Sequence, residues 1–209
     1  SNIIMTKFIL GKKIGMSQTF QEDKVVPVTL IESGPVVVVQ LKTEEKDGYD
    51  AVQVGFGQKK SKRLSKALKK HMKNLGNFRW LKEFKIEKKQ LNDLKIGDKI
   101  DVSIFEVGDK VEIKGTAKSK GFQGVVKRHG FHGGPKTHGQ KDRFRAPGSI
   151  GATHPQHVVK GRRLPGRMGG GKLTLKNRKI IQVDSQNNLL VVKGPVPGKR
   201  GDLLEIVSK

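Results

Sequence analysis

Residues 115–172 set thirteen Lys and Arg against one acid, Asp142, a local charge of +12. The same stretch holds fourteen of the chain's 26 glycines, five of its six histidines and few large apolar side chains. Such a segment buries too little apolar surface to offset the entropy of ordering it, so it does not fold alone. Strand-like runs flank it on both sides, which makes it an excursion from a body that folds without it. A floppy linker is the bland alternative, but linkers are seldom so cationic or set with aromatics such as Phe122, Phe131 and Phe144. The better reading is an arm that orders against RNA, its glycines letting backbone approach phosphates closely.

A second basic run, residues 58–73, carries eight Lys and Arg and no acid. The two runs hold +20 of the formal +24, leaving +4 on the other 135 residues of a 209-residue chain. A charge of that size repels itself and calls for a polyanion, either nucleic acid or an anionic membrane surface. The membrane fares worse: no run of about eighteen apolar residues exists to span one, and the arm lacks the Leu/Trp/Phe face of an interfacial helix. In the shorter run Leu64, Leu68 and Met72 recur at i, i+4, i+8. That spacing predicts a helix with a thin apolar stripe and cations around the rest, a solvated helix being the alternative.

The absence of cysteine excludes disulfides and thiol catalysis and fits a reducing compartment. Ser1–Leu10 has too short an apolar stretch for a secretory signal. Met5 is a candidate start, with Ser1–Ile4 then foreign; removal of an initiator methionine before Ser1 is the alternative.

Outside the basic runs the chain reads as mainly β. Branched runs lie at 25–32, 35–42, 50–56, 99–105 and 110–114, then at 173–183, 188–193 and 203–207. Turn signals separate them, among them Ser33-Gly34-Pro35, Asp47-Gly48, Gly108-Asp109 and Asn187-Asn188. Short strands with turns between them suggest a closed or nearly closed barrel. The expected division is a β-barrel body of residues 1–57, 98–114 and 172–209, a basic, partly helical insertion at 58–97, and the arm at 115–171.

Three motifs tempt toward other chemistry. Gly166–Lys172 has the spacing of a phosphate-binding loop, but Leu173 stands where a magnesium-holding Ser or Thr belongs and the loop feeds a β-like run rather than a helix. His129–His132 and His154–His157 have an HxxH spacing, with His138 between them. Structural zinc sites usually include cysteine, and Asp142 is the arm's one carboxylate, so no metal site is expected. The same scarcity of carboxylates argues against a two-metal nuclease, leaving only histidine acid–base cleavage on paper. No enzyme, cofactor or small-molecule substrate is expected. The candidate RNA contacts are Lys59, Lys60, Lys62 and Arg63 in the short run. In the arm they are Lys118, Lys120, Lys127, Arg128, Lys136, Lys141, Arg143, Arg145, Lys160, Arg162, Arg163 and Arg167, with Lys172 at its end. His129, His132, His138, His154 and His157 join them, stacking on bases or donating to phosphate and 2′-hydroxyl groups.

Seven collinear segments carry a resemblance. They are Gly11–Met16, Gly48–Val54, Gly115–Arg128, Gly134–Gly139, Arg145–Gly151, Lys160–Gly169, and Val183-Asp184 followed by Asn188–Gly198. Together they resemble protein three of the large ribosomal subunit (the universal L-three family) in its bacterial or organellar length, over nearly the whole chain. The resemblance implies a six-stranded, translation-factor-like barrel and a long loop running through ribosomal RNA toward the peptidyl-transferase centre. It also implies early binding near the 3′ end of the large-subunit (23S-type) RNA, with the fourteenth and nineteenth large-subunit proteins as neighbours. Matching positions carry RNA contact to Lys118–Arg128, His138, Arg145, Ser149 and Lys160–Arg167. The chain departs from the family pattern at Ala152–Val158 and has Leu164 where a methionine is usual. Some bacterial members are methylated on a glutamine hereabouts; Gln156 lies nearby and is not assigned that modification. Residues 58–95 resemble the family least. A generic RNA chaperone without a fixed address is the alternative function.

Overall fold

Runs rich in β-branched and other apolar residues form most of the strands. The computed structural model describes residues 7–72 and 75–208; the choice between starts at Ser1 and Met5, and Lys73 of the basic run, lie outside them. In chain order the strands are β1 (Phe8–Gln21), β2 (Lys24–Ser33), β3 (Val36–Lys42), β4 (Ala51–Gln58), β5 (Phe78–Lys85), β6 (Lys99–Ile100), β7 (Lys110–Thr116), β8 (Phe122–Gln123), β9 (Gly166–Arg167), β10 (Lys172–Asp184), β11 (Leu189–Lys193) and β12 (Leu203–Ser208). Short helices lie at α1 (Glu44–Asp47), α2 (Lys66–His71), α3 (Lys88–Asp93) and α4 (Val125–His129). The protein is mainly β. It divides into two compact units, one running to Thr116 and resuming at Lys172, the other Ala117–Gly171.

In the first unit β1, β12, β7, β10, β11 and β2 pair in that order, all antiparallel, and β2 pairs back with β1, so the ring of pairings closes. Closure leaves no unpaired ladder edge among these strands. In β12 Leu204, Ile206 and Ser208 are buried while the residues between them are not, the period-two pattern of a strand with one inward face. Ile9, Ile31, Ile113, Ile180 and Leu190 are fully buried with them. Each such side chain contributes about 1.5–3 kcal/mol by leaving water. Gly11 of β1 has a packing reason: a Cβ there would lie 2.5 Å from Ile31 Cγ2 and 2.6 Å from Ser33 Oγ.

The structure corrects the expected division. β3 and β4 are not in the ring; they form a second, four-stranded sheet in the order β5-β4-β3-β6. β5 comes from the segment expected to be an insertion, so residues 78–85 complete a sheet rather than decorate one. Val36, Val38, Val52, Val54, Phe56 and Phe84 of this sheet join the ring's apolar residues in one core cluster. Phe8 stacks on Phe84 with ring centroids 4.8 Å apart. The run 99–105 is a strand only at Lys99–Ile100 and continues as a 3-10 turn at Val102–Ile104. Val102 and Phe105 are both buried, and a three-residue spacing puts them on one side of a 3-10 turn but on opposite faces of a strand.

The apolar stripe of the short basic run is real in its burial but only partly helical. Leu64 and Met72 are buried with Val39, and Leu68 packs against them. The α-helix covers only Lys66–His71, started by Ser65 Oγ accepting from the Leu68 amide at 3.3 Å. On the second sheet Glu83 meets Lys42 Nζ at 2.9 Å and accepts from Tyr49 Oη at 2.8 Å and Gln53 Nε2 at 3.0 Å. The Lys42 ammonium, aided by these donors, holds the Glu83 carboxyl below its ordinary range. Among the described residues no helix is long and apolar enough to cross a membrane.

Candidate nucleic-acid interface

The basic tract is inserted between β7 and β10, which are paired to each other, Thr116 opposite Lys172. Gly115 and Thr116 belong to β7, so the arm begins two residues later than expected, at Ala117. Its two ends run antiparallel. The Ala117 amide donates to the Gly171 carbonyl at 2.9 Å and the Gly170 amide to the Ala117 carbonyl at 3.1 Å. Lys120 then donates to the Met168 carbonyl and Met168 to the Gly121 carbonyl, both at 2.9 Å, before β8 pairs with β9. Gly169 makes this approach feasible. Its φ is +73°, and a Cβ there would collide with the Lys118 carbonyl oxygen.

Beyond this stem the arm has almost no interior. Val125, in α4, is the single buried residue of 117–171. The last turn of α4 is Lys127, Arg128 and His129, cations or donors placed where the helix ends in unpaired carbonyls, and Gly130 closes it with a φ of +74°. Arg128 Nη1 donates to the Leu164 carbonyl at 2.7 Å, and His129 Nε2 lies 3.1 Å from the same oxygen. A carbonyl only accepts, so His129 carries its proton on Nε2. Farther out the Gly134 amide donates to the Phe144 carbonyl at 2.8 Å, and Lys136 Nζ sits 5.7 Å from the Phe144 ring centre. Every residue from 147 to 163 is exposed. Their internal ties are few: Ser149 Oγ donates to the Gly151 carbonyl at 2.9 Å, Arg162 Nη2 to the Ser149 carbonyl at 3.1 Å, and the His157 and Arg162 amides to the Pro155 and Val159 carbonyls at 2.8 and 3.2 Å.

Arg128 and His129 are therefore half-buried and hold the arm's two limbs together. Exposed along the unit are Lys118, Lys120, Lys127, Lys136, Lys141, Arg143, Arg145, Lys160, Arg162, Arg163 and Arg167. His132, His138, His154, His157 and Ser149 are exposed too. Lys172 is exposed at the start of β10, so the phosphate-loop-like Gly166–Lys172 leads into a strand. No group of three or more His, Cys, Asp or Glu that could hold a metal ion occurs among the described residues.

The short basic run occupies a separate place on the first unit. Lys59 and Lys60 follow the end of β4, and Lys62 and Arg63 lie in a 3-10 turn. They are not on the helix that the apolar stripe predicted, because that helix starts only at Lys66. Lys59, Lys60 and Arg63 line a groove with Gln58, Arg79 and Trp80. Sequence reasoning passed over Arg79 and Trp80; the available signal was an aromatic flanked by Arg79 and Lys82 in a run without a turn residue, Phe78–Lys85.

Comparison with known proteins decides the family. A family model described as Ribosomal protein L3 matches residues 74–194, more than half of the chain. The chain belongs to that family. The match takes in β5, the whole arm and the ring strands β7, β10 and β11 on either side of it. Relatives named large ribosomal subunit protein uL3 match along almost their entire length. The one from Natranaerobius thermophilus is 48% identical over 207 residues, 98% of this chain and 97% of its own. That from Carboxydothermus hydrogenoformans is 50% identical over 205 residues, 97% of each. That from Prochlorococcus marinus is 52% identical over 202 residues, 95% of this chain and 92% of its own. Members of this ribosomal family are structural proteins, not enzymes.

Proposed function

We propose that this protein is a structural constituent of the large ribosomal subunit that grips 23S-type ribosomal RNA, its closed ring and second sheet forming a docking body and residues 117–171 forming the arm that RNA completes. One observation carries the reading: the arm has a single buried residue while its Lys and Arg side chains stand almost all exposed. A segment with no interior of its own gains a fixed shape from contacts supplied by something else. Its charge specifies a polyanion.

The six-stranded ring is a barrel of the translation-factor type in this reading. The body docks on folded RNA, and the arm threads between helices toward the peptidyl-transferase centre, where Lys and Arg neutralise phosphates that would repel one another. Backbone and shape carry most of the recognition, as for folded RNA generally. Binding occurs near the 3′ end of the RNA and early in assembly, with the fourteenth and nineteenth large-subunit proteins as neighbours, on ribosomes of the cytoplasm or an organelle. The protein tunes RNA conformation and does not catalyse peptide transfer.

The test is co-sedimentation with large subunits together with crosslinking through residues 140–165. Crosslinks from this stretch to large-subunit RNA support the reading; co-sedimentation with crosslinks only from the ring refutes the role of the arm. A generic RNA chaperone would lose its RNA to an excess of unrelated RNA, whereas one tight site on the large-subunit RNA survives that competition.

A further inference from the structure

The groove on the first unit contains a feature that the arm does not. Phe56 and Trp80 are cross-strand partners on β4 and β5, with ring centroids 5.8 Å apart and planes 20° from parallel. The Arg79 guanidinium carbon lies 4.4 Å from the Trp80 ring centre. Burial falls along this stack, from buried Phe56 through half-buried Trp80 to exposed Arg79. Arg79 is thus the solvent-facing member of a group of three side chains rooted in the core through Phe56. Gly57 holds the indole close: its φ is +68°, and a Cβ there would lie 2.8 Å from Trp80 Cζ3.

The stack stands between two grooves. On one side are Lys59, Lys60 and Arg63, with no carboxylate in the lining. On the other the lining includes Glu32, whose carboxylate is paired with Lys12 Nζ at 3.2 Å. A flat π-cation surface flanked by cations suits a nucleobase with its phosphates alongside. An acidic peptide would satisfy the cations but has no flat face to lay on the stack. A duplex keeps its bases stacked on one another and so offers phosphates alone, whereas unpaired nucleotides can splay onto aromatic or guanidinium planes.

We infer that the Phe56–Trp80–Arg79 stack is a platform for an unpaired RNA nucleotide, the base lying on the Arg79 plane and the neighbouring phosphates held by Lys59, Lys60 and Arg63. The inference rests on the RNA-binding reading above and locates a second contact, on the sheet rather than on the arm.

Trp80 is the chain's one tryptophan, so its emission reports this site alone. The experiment titrates the full chain with a six-nucleotide uridine oligomer, following tryptophan emission together with the anisotropy of a labelled oligomer. The expected result is quenching that saturates with binding. Arg79→Ala should weaken the affinity read from emission about 5- to 140-fold, the range for losing one base stack. Arg79→Lys, which keeps the charge but not the plane, should lose nearly as much, with circular dichroism unchanged in both variants. Binding seen by anisotropy without a change in emission overturns the platform and leaves the arm's RNA binding standing. Absence of binding in both readouts counts against both. Full rescue by Arg79→Lys, equal quenching by an RNA duplex, or equal quenching by polyglutamate would each reduce the site to a patch of charge and overturn it.

Discussion

Replacing Gly169 with alanine should loosen the stem of the arm and leave the ring untouched. Two costs act together. A non-glycine residue at φ +73° pays about 1–2 kcal/mol for the left-handed conformation. The added Cβ also meets the Lys118 carbonyl oxygen, which is backbone and can move only with the strand that carries it. Moving it strains the two hydrogen bonds on either side, Gly170 to Ala117 at 3.1 Å and Lys120 to Met168 at 2.9 Å. At about 1 kcal/mol each, these bring the total to about 3–4 kcal/mol on local opening of the stem. Amide exchange at Lys120 and Met168 should accelerate by about two orders of magnitude or more, since each 1.4 kcal/mol is tenfold. Amides of Ile31 and Val191 in the ring should exchange as before, with the melting temperature held. Gly171→Ala is the control, because nothing lies within 4 Å of a Cβ at that position. Unchanged exchange at Lys120, or a fall in ring protection, would refute the assignment of Gly169 to a stem separate from the ring's stability.

Two further outcomes follow from side-chain chemistry. Lys42 and its neighbouring donors depress the Glu83 carboxyl, so this group contributes stability in full above the unfolded carboxyl value of about 4.3 and loses it as pH falls through the lower folded value. Glu83→Gln should therefore melt earlier than the parent at pH 7, with the gap closing in acid, as measured by thermal melts across that range. His129 is engaged with the Leu164 carbonyl, so zinc or a chelator should shift neither the melting temperature nor RNA affinity; a rise in melting temperature on adding zinc that His129→Ala abolishes would reverse this.

What the sequence made legible was whatever local pattern controls. The branched run at 203–207 emerges as β12, and the glycine-rich cationic stretch emerges as a unit almost without interior. The β1–β2 hairpin escaped notice for two reasons. β1 is interrupted by Gly11, Lys12, Lys13 and Gly15, with a register shift between Lys13 and Gly15. Its turn is Glu22-Asp23, both at positive φ (48° and 62°), a conformation usually flagged by Asn-Gly or Asp-Gly. By contrast Asn187-Asn188 was legible, and Asp184 fixes that turn by accepting from the Gln186 and Asn187 amides at 3.0 and 3.1 Å. The split of the body into a ring and a second sheet was not legible, because β3 and β4 have the same branched composition as ring strands. Partner choice depends on long-range packing such as Phe8 on Phe84. For the same reason charge alone found Lys59, Lys60 and Arg63 but not the Arg79 and Trp80 beside them.

The most direct test of the central claim compares the salt dependence of RNA affinity in the full chain with that of a variant in which residues 121–167 are replaced by Asn-Gly. A two-residue turn can close there because the Lys120 amide already donates to the Met168 carbonyl. The replacement removes ten Lys and Arg. If each neutralises one phosphate, the log–log slope of affinity for large-subunit RNA against salt should flatten by about 7 to 9. The variant's circular dichroism should keep the β signature of the ring. An unchanged slope, or loss of that β signature with the arm, would contradict the account.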